Sequence, residues 1–506
     1  MKSAEHRAIG DAATAGALVQ VGGTGAGESL VLRYGDVVAL SGDFFASHSR
    51  DAYRDDGGDE RRDGLAADDL FVLAATPGRW GTQPGTRDEI ICALKVMAVD
   101  GGFADDRFDL GGQFSDFQFT PTAAVTEVER RIRDRFLALA AANGDHFVTP
   151  GSSNTAGDHR CLSCPPPHRF DSAVVAYRRL HQLALDEAYR LGRCRGDLSR
   201  AMAREAAAQH YLTDAFAAGH LRTPVTAIRR FWHHRYPRFW QSLQHTVAAD
   251  TAATLRELTP LARLVPEDVL EGHTLTAVAA RTRRFPPIGL GDLLARVFHD
   301  WDDDHGLIVD GGGVLFGDGH LDQGVGKQLA VAAARAGIDD VEVAYQLGAS
   351  GNRLRGEDLY RAVRSATGAP DDTFRAQTWI PTPSVDNPPQ NWQAPDIETL
   401  WNLPIVGTTG ATVGMAAEET LRIGSEVFRR LDRLGPGVLE LPGLLGMPVL
   451  RRWAARKAGH AYHHGFIHHL TQDPKATVLA IVDHEDRAQS TATKQDGPAH
   501  RLQPAV

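Results

Sequence analysis

At 506 residues with a formal net charge of -10, the chain can bury a large core, and it carries no positive excess with which to track a phosphate backbone. Its 42% hydrophobic and 23% charged residues are the balance of a globular protein; no run of about eighteen apolar residues marks a membrane span, and four cysteines are too few for a disulfide framework. Charges interrupt the opening MKSAEHRAIGDAATAG where an apolar signal core would lie, which predicts a cytoplasmic protein without a signal peptide.

Helical periodicity runs over Glu5–Val21, followed by a glycine-rich turn, VGGTGAGES. Without the Gly-Lys-Ser/Thr close of a phosphate loop, that segment reads as a plain turn. The acidic stretch RDDGGDERRDGLAADD belongs to a surface insertion over about residues 47–120. A helix is expected over 122–143, with Val125, Val128, Ile132, Phe136 and Leu139 on one face. Residues 148–170, rich in Pro, Gly and Ser, read as a second insertion. Within it Cys161, Cys164 and His168 make half a zinc knuckle with no second pair nearby, and read as a loop ornament. Helix resumes over 171–192, where His181 shares a face with Val174, Tyr177, Ala184 and Leu185 and reads as a core or supporting histidine.

The strongest helix is expected over 197–218, with Asp197 or Ser199 as its cap and alanines that favour the helix and permit close packing. Gly219 would end it in the left-handed conformation. Further helices are expected around 226–258, 288–300, 321–336 and 355–366, with a hairpin in the segment DGGGVLFGDGHLD. Residues 367–404 read as a Pro- and Asn-rich connection, and helix returns over 415–434 and 447–470. The histidines between His460 and His469 read as a solvated helix end. The division expected is a mainly α core over 1–335, a helical, loop-rich C-terminal extension over 336–485 and a disordered tail over 486–506.

One segment carries chemistry: His210-Tyr-Leu-Thr-Asp214-Ala-Phe-Ala-Ala-Gly219-His220. His210 and Asp214, four apart, lie on one helical face. His220 would stand about 240° from Asp214 on an unbroken helix, so a stop at Gly219 would let it swing back. Two imidazoles and a carboxylate meeting at one point suit a divalent ion such as zinc. Leu212, Phe216 and the alanines make the surrounding face apolar, so this histidine and aspartate need partners, and a metal satisfies both.

The motif resembles that of the zinc-dependent phospholipases C and single-strand-specific fungal nucleases, helical proteins that hold three zinc ions in a cleft. Their central helix carries His-x3-Asp-x5-His with an aromatic after the first histidine; here these are His210, Tyr211, Asp214 and His220, with Gly219 where the family usually has proline. The resemblance implies further ligands: His6 in the first helix, Asp43 at the end of the next element, and His146, followed by Phe147, before a helix. His159 is an alternative to His146. The family's downstream His-x3-Glu/Asp pair fits His299 and Asp303, with Asp300 and Asp302 as alternative carboxylates, although the separation from His220 is longer than in the family. The family's mature chains begin with a tryptophan whose amine and carbonyl bind zinc; Met1 lies five residues before His6, and whether its amine serves is left open. The eleven-residue motif matches in full spacing, while the implied ligand set spans about residues 1–310.

The resemblance implies a mainly α, multi-helix bundle of the phospholipase C and nuclease type, binding two or three zinc ions. The expected activity is phosphodiester hydrolysis by a metal-bound hydroxide available near pH 7. Asp43 is expected as general base or water-orienting group and Asp214 as bridging carboxylate, with Asp145 and Asp300 locking the imidazoles. The acidic balance favours a phospholipid or small phosphodiester over nucleic acid. Phe44, Phe45, Phe147 and Trp301 flank the ligands and would serve either a lipid rim or base stacking. The alternatives are a single-strand nuclease and a helical metal-binding protein without phosphoesterase activity. A di-iron bundle would require paired Glu-x-x-His motifs, and none lies near His210.

Overall fold

The computed structural model describes residues 1, 3–21, 30–45, 143–148, 172–258, 260–282, 289–317, 319–401 and 473–495, with short pieces at 70–71, 89–90, 93–94 and 461. The expected helices over 122–143, 415–434 and 447–470, the glycine-rich turn, His159, the Cys161–His168 segment and the His460–His469 run lie outside these residues, apart from residues 21, 143 and 461. The chain is mainly helical. No helix among the described residues is long and apolar enough to cross a membrane.

Helix α1 spans Ser3–Thr14. It stops sooner than the periodicity suggests because Ala15 and Gly16 take positive φ, and the chain turns into an antiparallel hairpin, β1 (Leu18–Val21) with β2 (Leu30–Arg33). Helix α2 (Tyr34–Leu40) follows and is buried along its whole length. A 3-10 turn, Asn143–His146, precedes α3 (Ala173–Cys194), which the Ser172 hydroxyl caps by accepting from the Val175 amide.

The long helix expected over 197–218 is two helices, α4 (Ser199–Asp214) and α5 (Ala218–Arg222). Asp197 accepts from the Ser199 amide at its start. Its end corrects the expectation: extended backbone at Ala217 breaks it, and Gly219 lies inside α5 rather than capping α4. Pro237 likewise separates the stretch 226–258 into α6 (Val225–Arg235) and α7 (Phe239–Leu258). Helices α8 (Glu267–Thr282) and α9 (Leu290–His305) follow, and DGGGVLFGDGHLD forms the hairpin β3 (Leu307–Ile308) with β4 (Val314–Leu315).

Helix α10 runs Gly326–Ala349, so the division expected at residue 335 falls inside a continuous helix. Helix α11 spans Glu357–Thr367. The expected connection over 367–404 contains a 3-10 turn, Arg375–Trp379, and a short helix α12 (Ile397–Trp401). Helix α13 (Pro474–Gln495) continues past residue 486, into the stretch expected to be a disordered tail; its Val478, Ile481 and Val482, ahead of that stretch, are buried in a hydrophobic cluster with Leu243 and Trp401.

Helix α4 lies at the centre. It packs against α3, α10 and α2, while α1 packs on α2 and α10, and α5 on α9. Its buried Ala201, Ala203, Ala206, Ala207 and Ala208 let those neighbours approach closely. The result aims the C-terminal end of α4 at the N-terminal ends of α1 and α5 and at the 143–148 turn.

Candidate metal centre

His6 on α1, Asp43 after α2, His146 in the 3-10 turn, His210 and Asp214 on α4, and His220 on α5 converge on one buried point. Two groups have ligand atoms within 4.8 Å of one another: His6, Asp43 and His210, and His146, His210 and Asp214. His299 on α9 joins through its ring, 4.9 Å from that of His220, and Asp303 lies one turn further along, 3.2 Å from His299 Nε2. All eight ligands expected from the sequence therefore lie in one region of the protein.

The hydrogen bonds fix how the rings face. His210 Nδ1–H donates to the Val38 carbonyl at 3.0 Å, and His220 Nδ1–H donates to the His146 carbonyl at 3.1 Å. The Thr213 hydroxyl donates to the Gln209 carbonyl, so it accepts from His6 Nδ1–H at 2.6 Å. Asp300 accepts from His299 Nδ1–H at 2.8 Å. Each of these four rings places Nδ1 on an acceptor and turns Nε2 inward, the arrangement that orients imidazoles for metal, and His220 Nδ1 also stands 3.5 Å from Asp214 Oδ1. His146 is reversed: Nδ1 faces Asp214 Oδ2 at 2.9 Å, and Nε2 faces Asp145 at 4.0 Å.

Several of the inward contacts have the spacing of ligands around a cation. His210 Nε2 and His146 Nδ1 are 3.2 Å apart, His6 Nε2 and Asp214 Oδ1 3.4 Å, and His210 Nε2 stands 3.7 Å from Asp214 and 3.8 Å from Asp43. Zinc bonds of about 2.0–2.1 Å in a tetrahedron separate ligand atoms by about 3.3 Å. His6 Nε2 has no hydrogen-bond partner among the described residues, an expense that an ion would remove. The nitrogen and oxygen donors suit zinc. Asp214 divides its oxygens: Oδ1 faces His6 and the Met1 amine at 3.1 Å, while Oδ2 faces His146 and His210. That is the posture of a bridging carboxylate. The Met1 amine also lies 2.6 Å from His220 Nε2.

Charge follows the same geometry. Burial would raise the Asp214 pKa, but the Met1 amine and the His220, His6 and His146 rings hold it well below the usual carboxylate range. Burial raises Asp43, and it pushes His210 down, with His6 and His146 adding to the fall. His146 resists burial and rises to about 9 because Asp214, Asp145 and Asp43 surround it.

Glycine makes the crowding possible. Gly42 takes φ +81°, and a Cβ there would collide with the His210 ring. A Cβ on Gly219 would sit 2.6 Å from both the His299 ring and the His299 carbonyl.

The structure sorts the remaining candidates, and among them the aromatic side chains depart from expectation. Asp302 points away from the cluster, to Arg222 and Gln390, so of the alternative carboxylates Asp303 faces inward while Asp300 holds His299 from behind. Phe44, Phe45 and Phe147 are buried, and Phe147 lies flat against His220 at 4.6 Å; they pack the centre instead of offering a rim or a base platform. Trp301 stacks on His305 at 3.7 Å. His181, expected as a core or supporting histidine, is fully buried in a separate group with Glu205 and Asp340.

Sequence reading passed over Ser3, whose hydroxyl donates to Asp43 Oδ2 at 3.0 Å, and Thr213. Thr213 immediately precedes Asp214, and its residue type beside a ligand was the available signal; nothing local marks Ser3. No protein-family model, no curated protein and no solved structure matches the chain.

Proposed function

We propose that the chain is a metal-dependent phosphodiester hydrolase, resembling the zinc-dependent phospholipases C, that acts on a phospholipid or small phosphodiester. The observation that carries the reading is the set of three rings, His6, His210 and His299, with Nδ1 on an acceptor and Nε2 turned toward a carboxylate of the cluster, joined by His220. Metal-bound imidazoles almost always make that division, because the outward N–H bond fixes the ring and its tautomer.

Asp214, with His146 and His210 on one oxygen and His6 on the other, would hold two ions side by side, and His220, His299 and Asp303 a third. In a chain that starts at Met1, the amine joins His6 and Asp214 as a donor. Bound ions of this type supply a water ionised near neutral pH and offset charge on phosphoryl oxygens. The protein's own part is orientation. Asp43 is the most open carboxylate of the cluster, its side chain 21% exposed, with Oδ2 held by Ser3 and Oδ1 toward His210. From that position it orients the attacking water and accepts its proton. The net charge of -10 and the burial of Phe44, Phe45 and Phe147 favour a small phosphodiester or lipid headgroup over a single strand that needs stacking platforms.

The test is elemental analysis of the purified chain followed by hydrolysis of a chromogenic phosphodiester, with and without chelator. More than one zinc per chain and chelator-sensitive turnover are expected. Zinc without turnover on the chromogenic ester, a choline phospholipid or single-stranded DNA leaves a metal-binding protein and overturns the hydrolase reading. Iron in place of zinc would point to oxidative chemistry.

A further inference from the structure

Of the proposed His220–His299–Asp303 position, His220 is carried by an element that cannot hold itself. Helix α5 has five residues, far below the length at which a helix persists alone. On α9 the acids crowd: Asp300, Asp302, Asp303 and Asp304 fall within one and a half turns of His299. Asp302 and Asp303 are adjacent, so something must determine which of them turns to the ion.

Arg222, two residues after His220, supplies the answer. Its guanidinium grips Asp302 with two prongs, Nε donating to Oδ2 at 2.9 Å and Nη2 to Oδ1, while Nη1 donates to the Pro388 carbonyl at 2.9 Å. Gln390 completes the clamp, its amide donating to Asp302 Oδ2 and to the Thr223 hydroxyl, each at 3.0 Å. The Asp302 carboxylate is buried, so the pairing works at low dielectric and resists exchange with water. Three segments meet there: α5 with His220, α9 with His299 and Asp303, and the connection at 388–390. On the inner side of the same junction the Gly219 amide donates to Asp303 Oδ1 at 2.6 Å.

We propose that Arg222 is the positioning residue for the His220–His299–Asp303 metal position: by occupying Asp302 it removes a competing carboxylate, and by lashing α5 to α9 it sets His220 opposite His299. The inference rests on the metal reading of the site and adds to it a determinant, outside the ligand set, of how many ions the chain holds.

The full chain is loaded with zinc and dialysed, its zinc is counted per chain, and its affinity is measured by competition with a chromogenic chelator, for wild type, Arg222→Met, Arg222→Lys and Arg222→Met/Asp302→Leu. Arg222→Met is expected to lose one ion selectively, with that ion's affinity reduced roughly 10- to 100-fold and the others unchanged. Lysine keeps the charge without the fork and should restore the ion in part. The double variant removes the buried charge together with its partner and should recover more of the ion than Arg222→Met. Equal stoichiometry and affinity in wild type and Arg222→Met would overturn the inference, as would loss of every ion together in a folded variant. Should Arg222→Met fail to fold, Gln390→Ala, which cuts one bond of the clamp, must weaken the same single ion or the inference falls. A wild-type chain that takes up no zinc defeats the metal reading itself, an outcome distinct from all of these.

Discussion

Whether a buried imidazole holds a proton or a metal depends on where its two nitrogens point. His6, His210, His220 and His299 each turn Nδ1 to an outer acceptor and Nε2 to a shared space. His181 differs. Its Nδ1 lies 2.6 Å from Glu205 and its Nε2 3.5 Å from Asp340, and the rings beside it are those of Tyr177 and Phe374 rather than other imidazoles. Burial would lower its pKa, but Glu205 and Asp340 raise it to about 9. The folded value exceeds the unfolded value of about 6.5, so the stabilisation is complete below about 6.5 and is lost as pH rises through 9. His181→Gln should therefore be destabilised most below about pH 6.5, with the gap from wild type shrinking as pH rises from there to about 9, read as urea midpoints of the chelated protein. A gap independent of pH would remove the imidazolium from the account. In the metal cluster, His210→Ala and Asp214→Ala should each release metal and abolish hydrolysis. Thr213→Val, which leaves the His6 Nδ1–H without its acceptor, should weaken zinc roughly 10- to 100-fold by competition titration.

Helices were legible where side chains repeat at helical spacing, and obscure where the backbone turns for reasons of tertiary packing. The alanine-rich α4 announces itself, and so does the hairpin in DGGGVLFGDGHLD, where glycines supply the positive φ at Gly311, Gly312 and Gly313. The break after Asp214 has no local marker, since Ala215, Phe216 and Ala217 are all helix-compatible; only the demand that His220 face Asp214 suggested one, and the glycine credited with it serves another purpose. Gly219 is small because His299 lies against it. Gly219→Ala should push His299 aside, costing about 1–3 kcal/mol of stability as overpacking and lowering zinc content while far-ultraviolet circular dichroism stays unchanged. Full zinc content in that variant would mean that the approach of α5 to α9 is not what sets the third position. The Arg222–Asp302 pairing, eighty residues apart, could not be read from spacing at all: an aspartate among four acids gives no hint of which one an arginine from another helix will claim.

Across the molecule the ligands come from α1, the end of α2, the 143–148 turn, α4, α5 and α9, so the centre ties together elements that the chain order scatters from residue 6 to residue 303. An unfolded chain cannot assemble such a set, and ions bound to the folded state alone must stabilise it by mass action. With free zinc at 100 times a site's dissociation constant, each ion contributes about 2.7 kcal/mol. Without ions, Asp214 faces the Met1 amine and the His146 ring, Asp303 faces His299 and the Gly219 amide, and the buried His6 Nε2 has no hydrogen-bond partner among the described residues. Chelation should therefore lower the thermal unfolding midpoint of the wild-type chain, and added zinc should restore it in proportion to the ions regained. The same treatment should hardly move the midpoint of Asp214→Ala, which has lost the bridge between two positions. A wild-type midpoint indifferent to both chelator and zinc would mean that these residues meet for a reason other than metal, and the hydrolase reading would lose its foundation with them.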